Sequence, residues 1–292
     1  MSETSPQKFA VAPDRIDGFV VDIIREVHEA ATGLGIRYFL VGATAREIIL
    51  RGVFGLASGR GSADVDFGIA SKDWAEFERL QAALVATGRF EKSDRIQQRA
   101  YYRLGEGHRV IVDLIPFGGV EEPNGTLAWP PDKDIVLNVA GFADGLASAV
   151  TVEITDGLCV PVASVAGLAI LKLLAWASRR NETNQDAADL FKILKDYASA
   201  GNEERLYGVE QAMLEAANFD VDIAGAQLLG ADVARLATSH AADGISRLLD
   251  SDSDVEALMA HVVQSASSID AGRSSAFVSA FRAGFLAKKK PG

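Results

Sequence analysis

The sequence predicts a mixed α/β (α+β) domain built on a mixed sheet, followed by a helical domain. Up to about residue 160, short segments rich in β-branched and aromatic residues alternate with amphipathic helical segments. Beyond that point the apolar residues recur almost entirely at helical spacing. We therefore expect two domains, 1–160 and 161–292.

The first half of the α/β domain is predicted to run helix, strand, helix, loop, strand and helix. Apolar residues at helical spacing between Ile16 and Val27 give the first helix, and "IRYFLVG" gives the first strand. The next segments are a short helix in "ATAREIILRG" that ends near Gly52, a loop in "VFGLASGRGS" and a strand in "ADVDFGI". "SKDWAEFERLQAALVATG" then forms a helix, which we expect Ser71 to cap and Gly88 to close.

A β-hairpin and two further strands are predicted for the second half of this domain. "QQRAYYRL" and "HRVIVDLIPF" are β-like and are separated by a short glycine-containing segment, so a hairpin is the simplest interpretation. Further strands follow in "VTVEI" and "LCVPV". From "SVAGLAILKLLAWASRR" onwards the helical pattern has breaks near Asn181, Gly201, Gly230 and Asp250.

Composition indicates an ordinary globular protein without a membrane segment. The 292 residues are 48% hydrophobic and 24% charged, which suffices for a sizeable core. The opening "MSETSPQKFA" has no apolar signal region, and no window approaches the ~18 consecutive apolar residues that a membrane span requires. We therefore expect a cytoplasmic protein that has no membrane partner.

Charge and metal-binding residue types restrict the possible ligands. The single cysteine cannot form an internal disulfide, and the four scattered histidines have no zinc-binding spacing, so a bound metal would have oxygen ligands. The net charge of −11 argues against broad affinity for nucleic acid. A local basic run from Arg89 to Arg109 has two interpretations, solvated strand and loop faces or a binding groove, and we favour the first.

Two aspartates on one predicted strand, and a third on another, are the main candidates for chemistry. In "ADVDF", strand alternation sends the apolar residues to one face and Asp64 and Asp66 to the other. Asp113 in "RVIVDLIPF" shares a face with apolar residues, where an unpaired charge is unfavourable. If the two strands are neighbours, the three carboxylates converge at one sheet edge, and Mg²⁺ or Mn²⁺ would relieve their repulsion. Alternatively, each aspartate pairs with an arginine, such as Arg60 or Arg109.

A strand that runs through a glycine into a helix is a candidate phosphate site. The main-chain N–H groups of Gly42, Ala43 and Thr44 lie at the start of this helix, and the glycine allows close approach. The alternative is a simple turn, since the segment lacks the P-loop pattern ending in G-K-[ST]. Combined with three carboxylates, the turn suits a nucleoside triphosphate whose phosphates are held by cations while an acceptor hydroxyl is activated.

Together these motifs resemble the polymerase-β-like nucleotidyltransferases and, within them, the AbiEii/AbiGii-type toxins. The resemblance is carried by "VGATAR" at 41–46, "ADVDF" at 63–67, "VDLIPFGG" at 112–119 and "ILKLLAWASRRNETNQDAADL" in the helical part. It implies a nucleotidyltransferase catalytic domain at 1–160, whose catalytic and metal-binding residues are Asp64, Asp66 and Asp113. It also implies nucleotide-binding roles for Gly42, Ala43, Thr44, Arg46, Lys172 and Asp186.

Lys172 and Asp186 also have structural interpretations. Lys172 interrupts an apolar helix, where it is equally well explained as a lysine on the solvent side. Arg179 lies two helical turns further on, so both cations can face one direction. Asp186 and Asp189 share the next helix face, where they would instead cap the helix or form salt bridges, with Arg180 as a partner for either.

The sequence departs from the family pattern at three places. Ala43 stands where a second glycine or a serine is common, so the hydroxyl contact to phosphate falls to Thr44. Gln185 precedes Asp186 where a lysine is expected, so the sequence has one positive charge fewer beside Asp186. The twenty residues from Thr44 to Asp64 exceed the compact toxin spacing and suggest an inserted flap in "RGVFGLASGRGS".

The sequence therefore predicts a metal-dependent nucleotidyltransferase with its active site between the two domains. It would use Mg²⁺ (or Mn²⁺) and a nucleoside triphosphate (NTP) to transfer a nucleoside monophosphate (NMP) to an acceptor hydroxyl. Asp64 and Asp66 would hold two metal ions on the triphosphate, and Asp113 would complete one metal site and help to deprotonate the acceptor hydroxyl. Transfer RNA is slightly favoured as the acceptor of a toxin from a toxin–antitoxin pair, whereas a protein, or a small molecule such as an antibiotic, fits the acidic surface equally well. The alternative is a non-catalytic nucleotide-binding or partner-binding module. An antitoxin-like protein partner would dock on the acidic helices between about 201 and 260.

Overall fold

The chain forms two compact units, 1–164 and 165–292. The computed structural model describes residues 8–57, 64–105, 107–266 and 270–288. In these residues the first unit is mixed α/β and the second contains helices only. The predicted fold class is confirmed, whereas the assignment of a catalytic domain to 1–160 and a helical domain to 161–292 stays a prediction.

Unit 1 contains strands and helices in alternation. Its strands are β1 (Lys8–Ala10), β2 (Arg37–Val41), β3 (Asp64–Ser71), β4 (Phe90–Lys92), β5 (Arg99–Gly105), β6 (His108–Gly118), β7 (Thr126–Ala128), β8 (Val136–Asn138), β9 (Val150–Thr155) and β10 (Leu158–Val162). Its helices are α1 (Gly18–Gly33), α2 (Gly42–Glu47), α3 (Trp74–Ala86) and α4 (Phe142–Ala147). A π-helical segment, Ile48–Val53, continues α2 directly.

A mixed sheet of eight strands forms the centre of unit 1. The strand order is β1-β9-β10-β2-β3-β6-β5-β4, and β7 pairs separately with β8. β3 runs antiparallel to β2 and parallel to β6, and β5 and β6 form the antiparallel hairpin predicted from the sequence. β2, β3 and β6 therefore lie inside the sheet, with a paired strand on both sides of each.

The cap of α3 and the segment after α2 need separate comparison with the sequence prediction. Ser71 is wrong as the cap of α3 because it is still part of β3, where it pairs with Gly118 of β6. Asp73 caps the helix instead, and its side chain accepts a hydrogen bond from the main-chain N–H of Glu76 at 2.7 Å. The predicted flap is wrong at its start, because residues 51–53 belong to the π-helical segment. The structure describes this region as far as Ala57, and the remainder lies outside the described residues.

The two faces of β3 have different surroundings. Val65 and Phe67 are buried on one face, and Asp64 and Asp66 are partly exposed on the other, as the alternation predicts. Further along the acidic face, Gly68 leaves space for an aromatic ring, since a Cβ at this position would overlap the ring of Phe39. That face is therefore acidic where the strand begins and is covered by aromatic side chains further along.

Unit 2 is a bundle of helices in its described part. The helices are α5 (Val165–Arg179), α6 (Gln185–Asp196), α7 (Glu203–Tyr207), α8 (Gln211–Ala216), α9 (Val221–Leu236), α10 (Ser239–Asp250), α11 (Asp252–Ser265) and α12 (Ala271–Lys288). Large buried side chains on several of them form its core, among them Trp176, Phe277, Phe281 and Phe285. Among the described helices of the whole chain, none has both the length and the apolar character needed to cross a membrane.

Glycines allow α9 and α12 to pack with their backbones in contact. A Cβ on Gly230 would overlap the main-chain carbonyl of Phe281, and a Cβ on Gly284 would lie 2.8 Å from the carbonyl carbon of Gln227. The obstructing atoms are backbone atoms, which cannot rotate away as a flexible side chain can. A larger residue at either glycine must therefore push the two helices apart.

We expect Gly284→Ala to lower the free energy of unfolding by about 1–3 kcal/mol, the usual effect of overpacking a tight interior. Urea unfolding of the full chain measures this change. Gly33→Ala is the control, because Gly33 also lies in a helix but a Cβ there would meet no atom within 4 Å. Equal stability of the two variants would contradict the close packing of α9 on α12.

Candidate active site

The three aspartates singled out from the sequence lie together in the sheet of unit 1. β3 begins at Asp64, and Asp66 lies directly opposite Asp113 on the parallel neighbour β6. One carboxylate oxygen from each residue lies within 4.8 Å of the corresponding oxygens of the other two. We call these three residues the acidic cluster. Its ligand atoms are all carboxylate oxygens, a set that suits hard divalent cations such as Mg²⁺ and Mn²⁺.

The position of the acidic cluster within the sheet differs from the sequence prediction. The sequence predicts it at one edge of the sheet, and this prediction is wrong because β3 and β6 are both internal strands. β2 continues the sheet on the far side of β3, and β5 continues it on the far side of β6. The carboxylates therefore stand on a surface whose backbone is held by hydrogen bonds from both sides.

Asp113 forms an ion pair with an arginine that sequence reasoning did not single out. Arg99 Nε donates to Oδ1 of Asp113 and Arg99 Nη2 donates to Oδ2, both at 2.9 Å. This hydrogen bonding to Asp113 is the main reason why the pKa of Arg99 is raised. The alternative that an aspartate pairs with an arginine is therefore confirmed for Asp113, although the partner is Arg99. Arg109 contacts Glu91 instead, and Arg60 lies outside the described residues.

Gly42 is required by the close approach of the acidic cluster to the turn after β2. Its φ of 70° lies in the left-handed region that favours glycine. A Cβ on Gly42 would lie 2.8 Å from Cγ of Asp66 and would overlap one of its carboxylate oxygens. The turn and the carboxylate are thus packed against each other without a side chain between them. A phosphate seated at the turn would be next to the cluster.

The hydroxyl of Thr44 is used within the fold. It donates a hydrogen bond to the main-chain carbonyl of Asp64 at 2.8 Å, and the residue is buried. A hydroxyl has one proton to donate, so a contact with phosphate would require this bond to break. Thr44 therefore anchors the start of β3 to α2, and its expected phosphate contact stays a prediction.

The other two predicted residues of this turn differ in their accessibility. Ala43 is partly exposed. Arg46 is buried, and its guanidinium forms an ion pair with Glu47 at 3.5 Å. A direct contact between Arg46 and a nucleotide would require this side chain to leave the interior, so its nucleotide-binding role also stays a prediction.

Lys172 and Asp186 form a buried ionic network in unit 2. Lys172 Nζ lies 3.1 Å from Asp186 Oδ1 and 2.8 Å from Asp189 Oδ2. Arg179 donates to both oxygens of Asp186, from Nε at 2.6 Å and from Nη2 at 2.9 Å. Lys172 and Arg179 therefore face one direction, as their spacing indicates. Arg180 is wrong as the partner of these aspartates, because it pairs with Asp254 at 2.6 Å.

Burial and ion pairing shift the pKa values of Asp186 and Lys172 in opposite directions. Burial alone would raise the pKa of Asp186, but hydrogen bonds from Arg179 and the charge of Lys172 hold it below its ordinary value. Burial alone would lower the pKa of Lys172, but the charges of Asp189 and Asp186 hold it above its ordinary value. Both residues are therefore held in their charged forms.

The basic run from Arg89 to Arg109 is interrupted by acidic partners. Arg89 pairs with Glu26 at 2.9 Å. Arg103 and Arg109 both pair with Glu91 at 3.4 Å. This pairing agrees with the interpretation that we favoured, solvated strand and loop faces, rather than with a continuous basic groove.

Comparison with known proteins supplies the family. The profile of the family described as "Nucleotidyl transferase AbiEii toxin, Type IV TA system" matches residues 28–277. No curated protein has a significantly similar sequence.

Several solved structures resemble the chain at low identity. An antigenic nucleotidyltransferase-like protein from Paracoccidioides brasiliensis is 17% identical, with a TM-score of 0.41 and coverage of 73% of this chain and 94% of that one. The antibiotic-resistance factor ANT(2'')-Ia is 14% identical, with a TM-score of 0.39 and coverage of 70% of this chain and 97% of that one. The CCA-adding enzyme of Thermotoga maritima, complexed with tRNA, is 12% identical, with a TM-score of 0.27 and coverage of 94% and 82%.

The family match includes every residue of the acidic cluster, the turn after β2 and the ionic network of α5 and α6. It confirms the resemblance drawn from the sequence motifs, and it favours an enzyme over a non-catalytic module. Because the match extends over most of its 292 residues, the chain belongs to the AbiEii nucleotidyltransferase toxin family and is a nucleotidyltransferase.

Proposed function

We propose that the acidic cluster is the catalytic centre and that NMP transfer by this chain requires Mg²⁺ or Mn²⁺. The observation that supports this most directly is the convergence of three carboxylates from two adjacent strands within 4.8 Å. Three like charges so close together repel one another, and divalent cations relieve this repulsion. The absence of nitrogen and sulfur ligands from the cluster favours a hard cation over zinc.

Each carboxylate has a proposed role in the reaction. Asp64 and Asp66 would hold divalent cations beside the triphosphate, and Asp113 would complete one of the cation sites. When bound there, such cations would neutralise phosphate charge and make the acceptor hydroxyl easier to deprotonate. Each oxygen of Asp113 accepts one hydrogen bond from Arg99 and keeps a second lone pair for a cation or a proton.

The proposed transfer exchanges one phosphate–oxygen bond for another. The acceptor hydroxyl gives its proton to the carboxylate of Asp113, and its oxygen forms a bond to the α-phosphorus of the NTP. The bond between the α-phosphorus and the oxygen that bridges to the β-phosphorus breaks, and pyrophosphate leaves. The main chain at Gly42 and Ala43 is the proposed seat for a phosphate, because it lies directly against the carboxylate of Asp66.

The remaining nucleotide-binding residues are proposed from the family pattern. These residues are Thr44, Arg46, Lys172 and Asp186. In the structure Thr44 and Arg46 make contacts within unit 1, and Lys172 and Asp186 make contacts within unit 2, so we propose that each of them chiefly stabilises its own unit.

We propose transfer RNA as the acceptor and a toxin–antitoxin pair as the biological setting. The support for the setting is the name of the family, and an antitoxin-like partner follows from it. The net charge of −11 indicates that recognition of RNA would depend on a few local contacts rather than on a broad basic surface. A protein hydroxyl and a small molecule such as an antibiotic are the competing acceptors.

The test is incubation of the full chain with each α-³²P-labelled NTP, Mg²⁺ and a cell extract. We expect a labelled product that ribonuclease destroys and protease leaves intact, and no product when EDTA replaces Mg²⁺. The same NTP labelled at the γ-phosphate should label released pyrophosphate and leave the acceptor unlabelled. A protease-sensitive product would overturn transfer RNA as the acceptor, and full transfer in EDTA would overturn the metal requirement.

A further inference from the structure

Arg99 contacts the acidic cluster through its third member. Two hydrogen bonds of 2.9 Å join its guanidinium to both oxygens of Asp113. The two residues are paired directly across β5 and β6, and their side chains are 23% and 13% exposed. A proposed cation ligand is therefore engaged by a cation of the protein itself, in a geometry that the sheet fixes.

A guanidinium and a divalent cation compete for the same carboxylate. Each carboxylate oxygen has two lone pairs, so Asp113 has acceptor sites for a cation while part of the Arg99 contact remains. The two positive charges nevertheless repel each other, and they do so strongly in a largely buried site, where water screens weakly. A cation bound by Asp113 must therefore act against the charge of Arg99 or loosen its pair of hydrogen bonds.

We propose that Arg99 competes with divalent cations for the carboxylate of Asp113 and thereby sets the affinity of the acidic cluster for these cations. This inference rests on the proposed function only in taking the acidic cluster as the cation site. The inference predicts a direction of change in cation affinity that a purely structural arginine would not produce. Loss of Arg99 tightens cation binding, whereas loss of a merely structural support would weaken it or leave it unchanged.

Arg103 provides a matched control for Arg99. It lies four residues further along β5, on the same face of the strand, and carries the same charge. It pairs with Glu91 rather than with a residue of the acidic cluster. Arg103→Gln therefore removes an equal charge and an ion pair from the same strand without touching a proposed cation ligand.

The test measures Mn²⁺ binding to the full chain by electron paramagnetic resonance, without nucleotide, for the wild type and three arginine variants. We expect Arg99→Gln to lower the dissociation constant for Mn²⁺ about tenfold, within the range typical of coupling between two binding events. Arg99→Lys keeps the charge but loses the paired hydrogen bonds, so its affinity should fall between those of wild type and Arg99→Gln. Arg103→Gln should match the wild type.

Thermal unfolding gives a second measurement of the same competition. Without Mn²⁺, Arg99→Gln should be less stable than the wild type, because Asp113 has lost its partner. Saturating Mn²⁺ should stabilise Arg99→Gln more than it stabilises the wild type, because tighter binding to the folded state adds more stability. Arg103→Gln should gain the same stability from Mn²⁺ as the wild type.

Unchanged or weaker Mn²⁺ affinity in folded Arg99→Gln would overturn the inference. Equal tightening in Arg103→Gln would overturn it as well, since the effect would then come from overall charge. Failure of the proposed function gives another result. If the wild type and Asp66→Asn bind Mn²⁺ equally well, the ion is not held by the acidic cluster, and the metal-dependent proposal falls together with the role of Arg99.

Discussion

Asp66→Asn is expected to lower nucleotidyl transfer by about 10³-fold or more, since loss of an outer contact to a metal ligand already costs about 10- to 100-fold. Asp66 is the central member of the acidic cluster. It lies opposite Asp113 in the β3–β6 register, and its carboxylate packs against the backbone of Gly42. Asparagine keeps the shape of the side chain but removes the charge that would hold a divalent cation in the proposed mechanism. Release of pyrophosphate from an NTP in the presence of acceptor measures the change.

The control for this prediction is Asp94→Asn. Asp94 is an exposed aspartate in the same unit, just after β4, and it does not belong to the acidic cluster. It loses the same charge by the same substitution, so its transfer activity should equal that of the wild type. Circular dichroism of both variants shows whether a loss of catalytic activity is accompanied by a loss of folded structure. Full transfer activity in folded Asp66→Asn would show that the acidic cluster is not the catalytic centre.

The convergence of the acidic cluster was predictable from the sequence because strand alternation is a strict rule. Once "ADVDF" is assigned to a strand, Asp64 and Asp66 must share a face. The apolar run around Asp113 marks a second buried strand, and two buried strands with charges on one face are best explained as neighbours. The sequence did not indicate how many strands lie outside this pair, so it left the cluster at an edge rather than inside the sheet.

The role of Arg99 was not predictable because it depends on an irregularity in the hairpin. Gly105 pairs with His108, and a regular ladder from that pair would place Ala100 opposite Asp113. The register shifts between Arg103 and Gly105, which moves the pairing by one residue and brings Arg99 opposite Asp113. A shift of one residue exchanges the two faces of a strand, so the sequence pattern alone could not distinguish these partners.

The sequence pattern also did not show which of two adjacent arginines pairs with Asp186. Arg179 and Arg180 are adjacent, and neighbouring residues point about 100° apart around a helix axis. Arg179 lies on the face of α5 that contacts Asp186, and Arg180 contacts Asp254 instead and stacks on the ring of Trp176 at 5.0 Å. The spacing of Lys172 and Arg179 was informative because seven residues bring a helix back to nearly the same face.

Asp186→Ala is expected to lower the free energy of unfolding by about 2–3 kcal/mol, because the hydrogen bonds that Lys172 and Arg179 donate to a buried carboxylate are lost. The side chain of Asp186 is 0% exposed, and that of Lys172 is 15% exposed. Removal of the carboxylate leaves the charge of Lys172 in the interior with Asp189 as its remaining ion-pair partner. Hydrogen exchange of the α5 and α6 amides, together with urea unfolding, measures the loss in unit 2.

The matched control is Asp252→Ala, which removes an aspartate from an exposed ion pair in the same unit. Asp252 is 83% exposed and lies 2.7 Å from Arg282. Its removal should lower the free energy of unfolding by about 1 kcal/mol or less, because surface ion pairs contribute little. Equal stability of the two variants would show that the network of Asp186 does not hold α5 and α6 together.

Acid should reduce the difference in stability between wild type and Asp186→Ala. The pKa of Asp186 in the folded chain lies below its ordinary value of 3.8, so the unfolded chain takes up a proton at this residue before the folded chain does. The stability that Asp186 contributes is therefore fully present well above pH 3.8 and is lost as the pH falls below that value. Urea midpoints measured at neutral pH and at successively lower pH should converge for the two proteins, whereas those of wild type and Asp252→Ala should stay close together throughout. Such convergence would assign the effect to the charged carboxylate rather than to the packing of its side chain.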